Sequence, residues 1–200
     1  MSELRRNLLM AMNRTEPPIT KDYLTIVALE DGLTAKLSIN ACEYCVDGDG
    51  NWKSLPADTE TETVNSGQTL SFRGNLTPNS SSGIGTFTVN KFHNLKGNCM
   101  SMLFGDEGKN RTYLPNYAFL KLFYKNEKII SSKELLLTAS RLSNQCYRSL
   151  FSSCKFLVDT PKLPATTLAH GCYYTMFSSC TSLTTAPELS ATTLAQYCYA

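Results

Sequence analysis

A spacing of 26 between matching residues constrains the fold of this 200-residue chain more than any other feature. Cys146, Cys172 and Cys198 fall in register, and Phe151 matches Phe177. The same register pairs Cys154 with Cys180, Leu157 with Leu183, Pro161 with Pro187, Leu163 with Leu189, and Leu142 with Leu168 and Leu194. Residues of like type at a fixed period predict successive coils that stack and bury a common core.

The residues of one repeat suggest the conformation of each coil. Cys172, Met176, Phe177 and Cys180 stand at positions i, i+4, i+5 and i+8, which predicts one apolar face of a short helix. The segment 183–189 is rich in threonine and is punctuated by proline, which predicts a short strand that ends in a turn. The C-terminal region is therefore predicted to be a solenoid with one short strand and one short helix per 26-residue repeat.

The repeats divide residues 109–200 into four parts. A degenerate, more charged copy at about 118–141 is expected to cap the stack, because an open coil end exposes apolar side chains to water. Two clean copies follow at 142–167 and 168–193, and a partial copy occupies 194–200. Because the partial copy stops within a coil, we expect further chain or a partner to cover it.

The clean copies carry a family resemblance. The run from Met176 to Pro187, Met-Phe-Ser-Ser-Cys-Thr-Ser-Leu-Thr-Thr-Ala-Pro, together with Pro-Ala-Thr-Thr-Leu-Ala from Pro164, resembles the BspA-type leucine-rich repeat. The resemblance covers about 119–200. Repeats of this type occur in surface proteins of gut and oral bacteria and in proteins of the phages that infect them. The resemblance implies adhesion through side chains displayed on a stacked surface.

Residues 21–108 have a different pattern. Short apolar or alternating runs begin at Tyr23, Leu33, Cys42, Thr69 and Gly85, and turn signals such as Asp31-Gly and Asp47-Gly-Asp-Gly-Asn separate them. This spacing predicts an antiparallel β-sandwich. The predicted fold class is therefore α+β, with an N-terminal β-sandwich followed by a leucine-rich-repeat-type solenoid.

Two further resemblances concern the N-terminal half. The runs that begin at Glu43, Gly83 and Gly97 resemble a β-domain that often precedes such repeats. The opening Leu-Arg-Arg-Asn-Leu-Leu-Met-Ala, which starts at Leu4, is similar to the start of structural proteins from phages of gut bacteria. That resemblance implies that residues 1–20 dock onto a virus particle, with Leu4, Arg5, Arg6, Leu8 and Leu9 as the candidate docking residues.

Composition disfavours several partners. The formal net charge of +2 gives no field that would favour nucleic acid or an anionic membrane. No window approaches the roughly 18–20 apolar residues of a spanning helix, so membrane insertion is not expected. The apolar run at 8–12 is too short for a secretory signal, and the eight cysteines are therefore expected to be reduced thiols.

Several motifs suggest metal or redox sites, but each has a simpler interpretation. The Asp47-Gly-Asp-Gly-Asn run resembles a calcium loop, yet it lacks the glutamate that would complete the loop, and Asp-Gly is an ordinary hairpin turn. Cys42 and Cys45 have the spacing of a zinc or redox half-site without a second half, so we favour plain thiols. The repeated cysteines are expected to pack in the core rather than to bind metal or form bridges.

No catalytic constellation can be assembled from the sequence. His93 and His170 have no nucleophile or carboxylate partner at a recognisable spacing, and Gly83-Ile-Gly85 lacks the lysine and helix of a phosphate loop, so a turn is expected there. We therefore predict a non-enzymatic protein without a cofactor. An enzyme in which the repeats are an accessory domain would need catalytic residues outside this sequence.

The functional hypothesis is a virion-attached fibre or decoration protein of a phage, assembled in the host cytoplasm. Its N-terminal region and β-domain would contact other virion proteins, and its repeats would contact a protein or glycan on a host or mucosal surface. The alternative is an exported bacterial cell-surface adhesin with the same repeats. By analogy with other fibres we expect a homo-oligomer, namely a trimer. The candidate ligand-facing residues are Thr184, Thr185 and Glu188 with their counterparts Val158, Asp159 and Lys162.

Overall fold

A computed structural model describes residues 23–199 of the chain. The predicted docking residues Leu4, Arg5, Arg6, Leu8 and Leu9 lie outside the described residues. The elements in chain order are strands β1 (Leu24–Ala28), β2 (Ala35–Leu37), β3 (Cys42–Val46), β4 (Lys53–Leu55), β5 (Thr69–Arg73), β6 (Phe87–Val89) and β7 (His93–Asn98), helix α1 (Ser101–Phe104), a 3₁₀-helix (Gly105–Asn110) and strand β8 (Ile129–Leu136).

Five strands of the first half of the chain and β8 of the second half form a six-stranded sheet. Its strand order is β4-β3-β5-β1-β7-β8, and every pair except the last is antiparallel. β1 is central and buries Leu24 and Ile26 completely, which fits its nearly continuous apolar run. A second sheet pairs β2 with β6 in antiparallel register, so that Leu37 lies opposite Phe87.

Strand β8 connects the two halves of the chain. It pairs in parallel with β7, although the two strands lie on opposite sides of the predicted boundary at residue 108. Isolated parallel bridges continue this arrangement between Tyr113 and Arg141, between Arg141 and Thr167, and between Leu163 and Leu189. One continuous core of buried apolar side chains, from Leu24 to Cys198, runs through both halves.

The predicted fold class is wrong. Strands dominate residues 23–199, where the only α-helix is the four-residue α1, and no helix occurs in the repeats. The fold is therefore not an α+β fold in which a β-sandwich precedes a strand-plus-helix solenoid. The segments predicted to be helical are chains of tight turns. We call them the turn segments, at 117–126, 145–154, 171–180 and 195–199, and together they form the stacked-turn region.

Backbone conformation explains why these segments are not helices. Every fourth residue has a positive φ, as in Gln145 (54°), Ser149 (53°) and Ser153 (65°), whereas an α-helix needs φ near about −63° throughout. The apolar residues Cys172, Met176 and Cys180 recur every four residues because each four-residue turn directs two adjacent side chains into the core, as Cys172 and Tyr173 show. The period is that of the turns and differs from the 3.6 residues of a helical turn.

The backbone hydrogen bonds alternate between local and lateral partners. In segment 145–154 the even-numbered N–H groups donate to the carbonyl three residues earlier, over 3.0–3.4 Å: Cys146 to Ser143, Arg148 to Gln145, Leu150 to Tyr147, Ser152 to Ser149 and Cys154 to Phe151. The odd-numbered N–H groups donate to the next turn segment over 2.7–3.0 Å: Gln145 to His170, Tyr147 to Cys172, Ser149 to Tyr174, Phe151 to Met176 and Ser153 to Ser178. These lateral bonds fix neighbouring segments in register.

Two columns of aromatic rings fill the interior of the stacked-turn region. One column contains Phe87, Phe123, Phe151 and Phe177, with successive centroids 6.0, 5.5 and 5.7 Å apart. The other contains Phe119, Tyr147, Tyr173 and Tyr199, with centroids 5.7, 5.6 and 5.5 Å apart. The rings are nearly parallel, because the lateral hydrogen bonds hold each turn segment directly over its neighbour.

The N-terminal half covers the first turn segment. The Phe87 N–H donates to the Leu122 carbonyl over 2.7 Å, and the Thr86 hydroxyl donates to the Lys121 carbonyl over 2.9 Å. Gly83 approaches so closely that a Cβ there would lie 2.8 Å from the Leu120 carbonyl oxygen. The Gly83-Ile-Gly85 run is therefore a turn that packs against the turn segments, and Phe87 begins the first ring column.

Candidate binding surface

Turn segments stacked in register place equivalent side chains in columns on the outer surface. Gln145, Gly171 and Tyr197 form one such column, and all three have a positive φ, at 54°, 58° and 56°. Arg148 and Tyr174 occupy a neighbouring column. The backbone has the same conformation in each turn segment, so the shape of this surface varies only with the side chains.

A notch opens where the first column lacks a side chain. Gly171 lies between Gln145 and Tyr197, and a Cβ on Gly171 would meet only the Gln145 Cγ at 3.3 Å and the Tyr174 Cβ at 3.7 Å. The resulting cavity has a volume of about 120 Å³. We call it the notch; its lining consists of Gln145, Arg148, His170, Gly171, Tyr174 and Tyr197.

Aromatic rings form two walls of the notch. The ring of Tyr197 meets that of Tyr174 edge to face, with centroids 6.1 Å apart, and meets that of His170 in the same way at 5.7 Å. Tyr197 is 56% exposed, which is high for so large a side chain. An exposed ring beside polar groups is typical of a binding surface, since it supplies contact area with little loss of conformational freedom.

Arg148 supplies the charge of the notch. Its Nη1 donates to Gln145 Oε1 over 2.7 Å, and the guanidinium carbon lies 5.2 Å from the centre of the Tyr174 ring. The Nε of Arg148 is buried without a hydrogen-bond partner in the described part of the chain. Among residues 23–199 no carboxylate forms an ion pair with Arg148, and none lines the notch.

The candidate ligand-facing residues from the sequence do not lie in the notch. Thr184, Thr185, Glu188, Val158 and Lys162 are exposed. Asp159 is half-buried and accepts hydrogen bonds from the Ser131 hydroxyl at 2.8 Å and the Ser132 N–H at 2.8 Å. It therefore connects its repeat to strand β8.

The cysteines are buried in the interior. All eight are unpaired and buried, including Cys42 and Cys45 on β3. Burial, with a smaller contribution from Glu43, raises the pKa of the Cys42 thiol to about 12, and burial also raises the pKa of Cys45. The thiols of Cys154 and Cys180 donate to the carbonyls of Phe123 and Phe151, at 3.1 and 3.0 Å. Thiols with raised pKa values are poor nucleophiles and metal ligands.

Two other motifs now have a structural interpretation. The Asp47-Gly-Asp-Gly-Asn run links β3 to β4, with a positive φ at Asp47 and Gly48, and the Asp47 carboxylate accepts hydrogen bonds from the Thr69 N–H and the Gln68 amide. Within residues 23–199 no group of three or more histidine, cysteine or acidic residues is placed to hold a metal ion. His93 is buried, and its Nδ1 lies 2.9 Å from the Lys91 carbonyl oxygen.

An apolar cavity of about 390 Å³ lies at the C-terminal face of the stack. Leu163, Met176, Phe177, Leu189 and Tyr199 provide most of its apolar lining. Leu189 is 50% exposed, and Phe177 is half-buried at the end of its ring column. This face is less specific than the notch, because its lining contains no charged side chain that would select a ligand.

The sequence contains one sign of the notch. Aligned at 26 residues, Gln145, Gly171 and Tyr197 occupy the same position, so a glycine interrupts a column of large side chains. The sequence pattern draws attention to His170 only as a possible catalytic or metal-ligating residue, and it gives no sign of Arg148 or Tyr174. Neither their convergence nor the positive φ of the column follows from residue type.

Comparison with protein families, with curated proteins and with solved structures finds no match to this chain. Helices within residues 23–199 all fall short of the length and apolar character that crossing a membrane requires.

Proposed function

We propose that this protein is a non-enzymatic binding component of a phage particle, a fibre or decoration protein. Its N-terminal region attaches to other virion proteins, and the stacked-turn region faces a host or mucosal surface. The resemblance of residues 119–200 to BspA-type repeats and of the first residues to phage structural proteins supports this proposal. Assembly occurs in the host cytoplasm, before release of the particle.

The observation that carries the proposal is the division of the stacked-turn region into a rigid interior and a variable exterior. Lateral hydrogen bonds and two ring columns hold the turn segments in register, while Tyr197 is exposed on the outside, as are Thr184 and Lys162 in the stretches that connect the turn segments. A scaffold of this kind holds exposed side chains at fixed positions, which reduces the entropy lost when they bind a partner.

The test is the location of the protein in an infected culture. Phage lysates are separated on a density gradient, and an antibody against residues 142–193 is used to detect the chain in each fraction and to label particles for electron microscopy. Detection on intact particles is expected. Detection only on the envelope of uninfected bacteria that carry the gene would overturn the proposal in favour of a bacterial cell-surface adhesin.

A second measurement examines the binding role itself. The purified chain is fluorescently labelled and incubated with bacterial cells and with mucin-coated beads. Saturable retention on either is expected. Retention no greater than that of an unrelated protein of similar size and charge would contradict the assigned role of the stacked-turn region.

A further inference from the structure

The notch has the chemistry of a small anion-binding site with aromatic walls. Arg148 is the only charged side chain in its lining, and its Nε has no partner among the described residues although it is buried. A guanidinium pairs with carboxylates through parallel N–H donors in a fixed geometry. A ligand with a carboxylate would therefore pair with a charge that no carboxylate in the described part of the chain neutralises.

We propose that the notch binds one acidic sugar residue, a pyranose ring that carries a carboxylate, on a host or mucosal glycan. The inference rests on the proposed function, because it names the ligand class through which the stacked-turn region holds that surface. Arg148 pairs with the carboxylate, the ring of Tyr197 contacts the apolar C–H face of the sugar, and Gln145 and His170 hydrogen-bond the hydroxyl groups.

The aromatic walls favour a sugar over a simple anion. A pyranose has an apolar face of C–H groups and a rim of hydroxyls, and the notch places Tyr197 beside the Gln145 amide and the His170 imidazole. Both polar side chains donate and accept hydrogen bonds. A phosphate or acetate ion would satisfy Arg148 but would leave the exposed ring of Tyr197 without a contact.

The size of the notch favours a single sugar residue over a peptide. Its volume of about 120 Å³ is well below the roughly 300–1,000 Å³ of pockets that enclose drug-sized ligands. The notch is bounded by side chains from three turn segments and has no exposed strand edge along which a peptide would pair. One ring enters it, and the rest of the glycan remains in solvent.

Gly171 determines whether the notch exists. Gln145 and Tyr197 adopt a φ near that of Gly171, so the backbone accepts side chains at this column. Asparagine tolerates a positive φ better than most residues, and Gly171→Asn therefore fills the notch without a change of backbone conformation. The flexible Gln145 side chain, whose Cγ would lie 3.3 Å from the new Cβ, has only to shift slightly.

The experiment measures binding of glucuronate, glucose and acetate to the full chain by titration of ¹H–¹⁵N NMR spectra. Glucuronate is expected to shift resonances of the notch residues with a dissociation constant of about 1 mM, typical of a single small contact. Glucose lacks the carboxylate and acetate lacks the ring, so each is expected to bind at least about tenfold more weakly. N-acetylaspartate amide serves as the probe for an acidic peptide partner.

Three variants assign the binding to the notch. Gly171→Asn is expected to weaken glucuronate binding at least about tenfold, whereas the matched Ser179→Asn, also at a positive φ (60°) but outside the notch, is expected to have no effect. Arg148→Met keeps the length of the side chain and should abolish the preference for glucuronate over glucose. This loss of preference can be measured even if Gly171→Asn does not fold.

Several results would overturn the proposal. These are no detectable glucuronate binding, equal affinity for glucuronate and acetate (an adventitious ion only), unchanged affinity in Gly171→Asn, and tighter binding of N-acetylaspartate amide. The proposed function fails separately. If the chain is absent from particles but its glucuronate binding depends on Gly171, the fibre role is wrong and the binding site stands. If Gly171→Asn is retained on cells as strongly as the parent chain, the binding site is wrong and the binding role stands.

Discussion

The ring of Tyr147 lies parallel to that of Tyr173, with centroids 5.6 Å apart and planes inclined by only 4°. The two residues are 26 positions apart in the chain, and the Tyr147 N–H donates to the carbonyl of Cys172, the residue before Tyr173. The ring column is therefore a consequence of the backbone register. Phe119 occupies the equivalent place in the first turn segment, so the column does not need a hydroxyl at each position.

Tyr147→Phe is expected to leave stability unchanged or to raise it by about 1 kcal/mol. The Tyr147 hydroxyl is buried and has no hydrogen-bond partner among residues 23–199, and a buried unsatisfied polar group destabilises the fold by roughly 1–3 kcal/mol. Urea denaturation followed by circular dichroism measures the change. The control Tyr147→Ala, which removes the ring, should lower the free energy of unfolding by about 3–5 kcal/mol. A loss above about 1 kcal/mol for Tyr147→Phe would show that the hydroxyl has a partner.

Lys125→Val is expected to destabilise the protein by about 1–2 kcal/mol. Lys125 is exposed with φ 58°, a region that β-branched side chains rarely adopt. The matched change Lys133→Val lies at an exposed position of strand β8, where a β-branched residue fits, and should alter stability by less than about 0.5 kcal/mol. Lys125→Asn also removes the charge, but asparagine tolerates the positive φ, so this variant should be as stable as the parent. Thermal unfolding of the three variants separates backbone strain from charge.

The repeat register could be found in the sequence, but the conformation of the repeat could not. Phe151 and Phe177 match at 26 residues, and their rings do stack, because equivalent residues of adjacent turn segments are held by lateral hydrogen bonds. Apolar residues at intervals of four fit both a helix and a chain of four-residue turns. The positive φ at Ser149, Ser153 and Thr175 distinguishes the turns, yet serine and threonine give no sign of that conformation.

Strand predictions in the N-terminal half were correct where the segments are continuously apolar or alternate between apolar and polar residues. The apolar runs at β1, β3 and β5 contain the strands of the sheet centre, whereas the polar β7, His-Asn-Leu-Lys-Gly-Asn, was not recognised. β8 was also missed, because its residues were assigned to a capping repeat. Its pairing with β7 depends on contacts between distant parts of the chain, which local pattern does not reveal.

Acidification is expected to destabilise the protein through His93. Burial lowers the pKa of the His93 imidazole to about 4, while the unfolded chain has a value near the ordinary 6.5. The unfolded state therefore takes up a proton first as the pH falls below about 6.5. The stabilisation is fully present above that pH and is lost progressively towards pH 4, by about 3 kcal/mol in total. Below pH 4 both states are protonated at this site, and the contribution no longer changes.

The measurement is the free energy of unfolding between pH 7.5 and 4 in the parent chain and in His93→Leu. The variant should show a shallower pH dependence over this range, whatever its stability at pH 7.5. If the free energy of unfolding has the same slope against pH in the parent chain and in His93→Leu, His93 is not the residue that couples folding to pH.

Asp159 is expected to act in folding and not in ligand binding, although the sequence suggested that it faces a ligand. Its carboxylate accepts hydrogen bonds from the Ser131 hydroxyl and from the N–H of the buried Ser132, and its own carbonyl accepts one from the Ser132 hydroxyl at 3.0 Å. Asp159→Ala leaves the Ser132 N–H unsatisfied and should lower the free energy of unfolding by about 1–3 kcal/mol. Thr185→Ala changes the exposed counterpart one repeat later and should alter it by less than about 0.5 kcal/mol. The prediction is wrong if the two variants are equally stable and Asp159→Ala is retained less on cells at a temperature where it is fully folded. Asp159 would then be a ligand-binding residue.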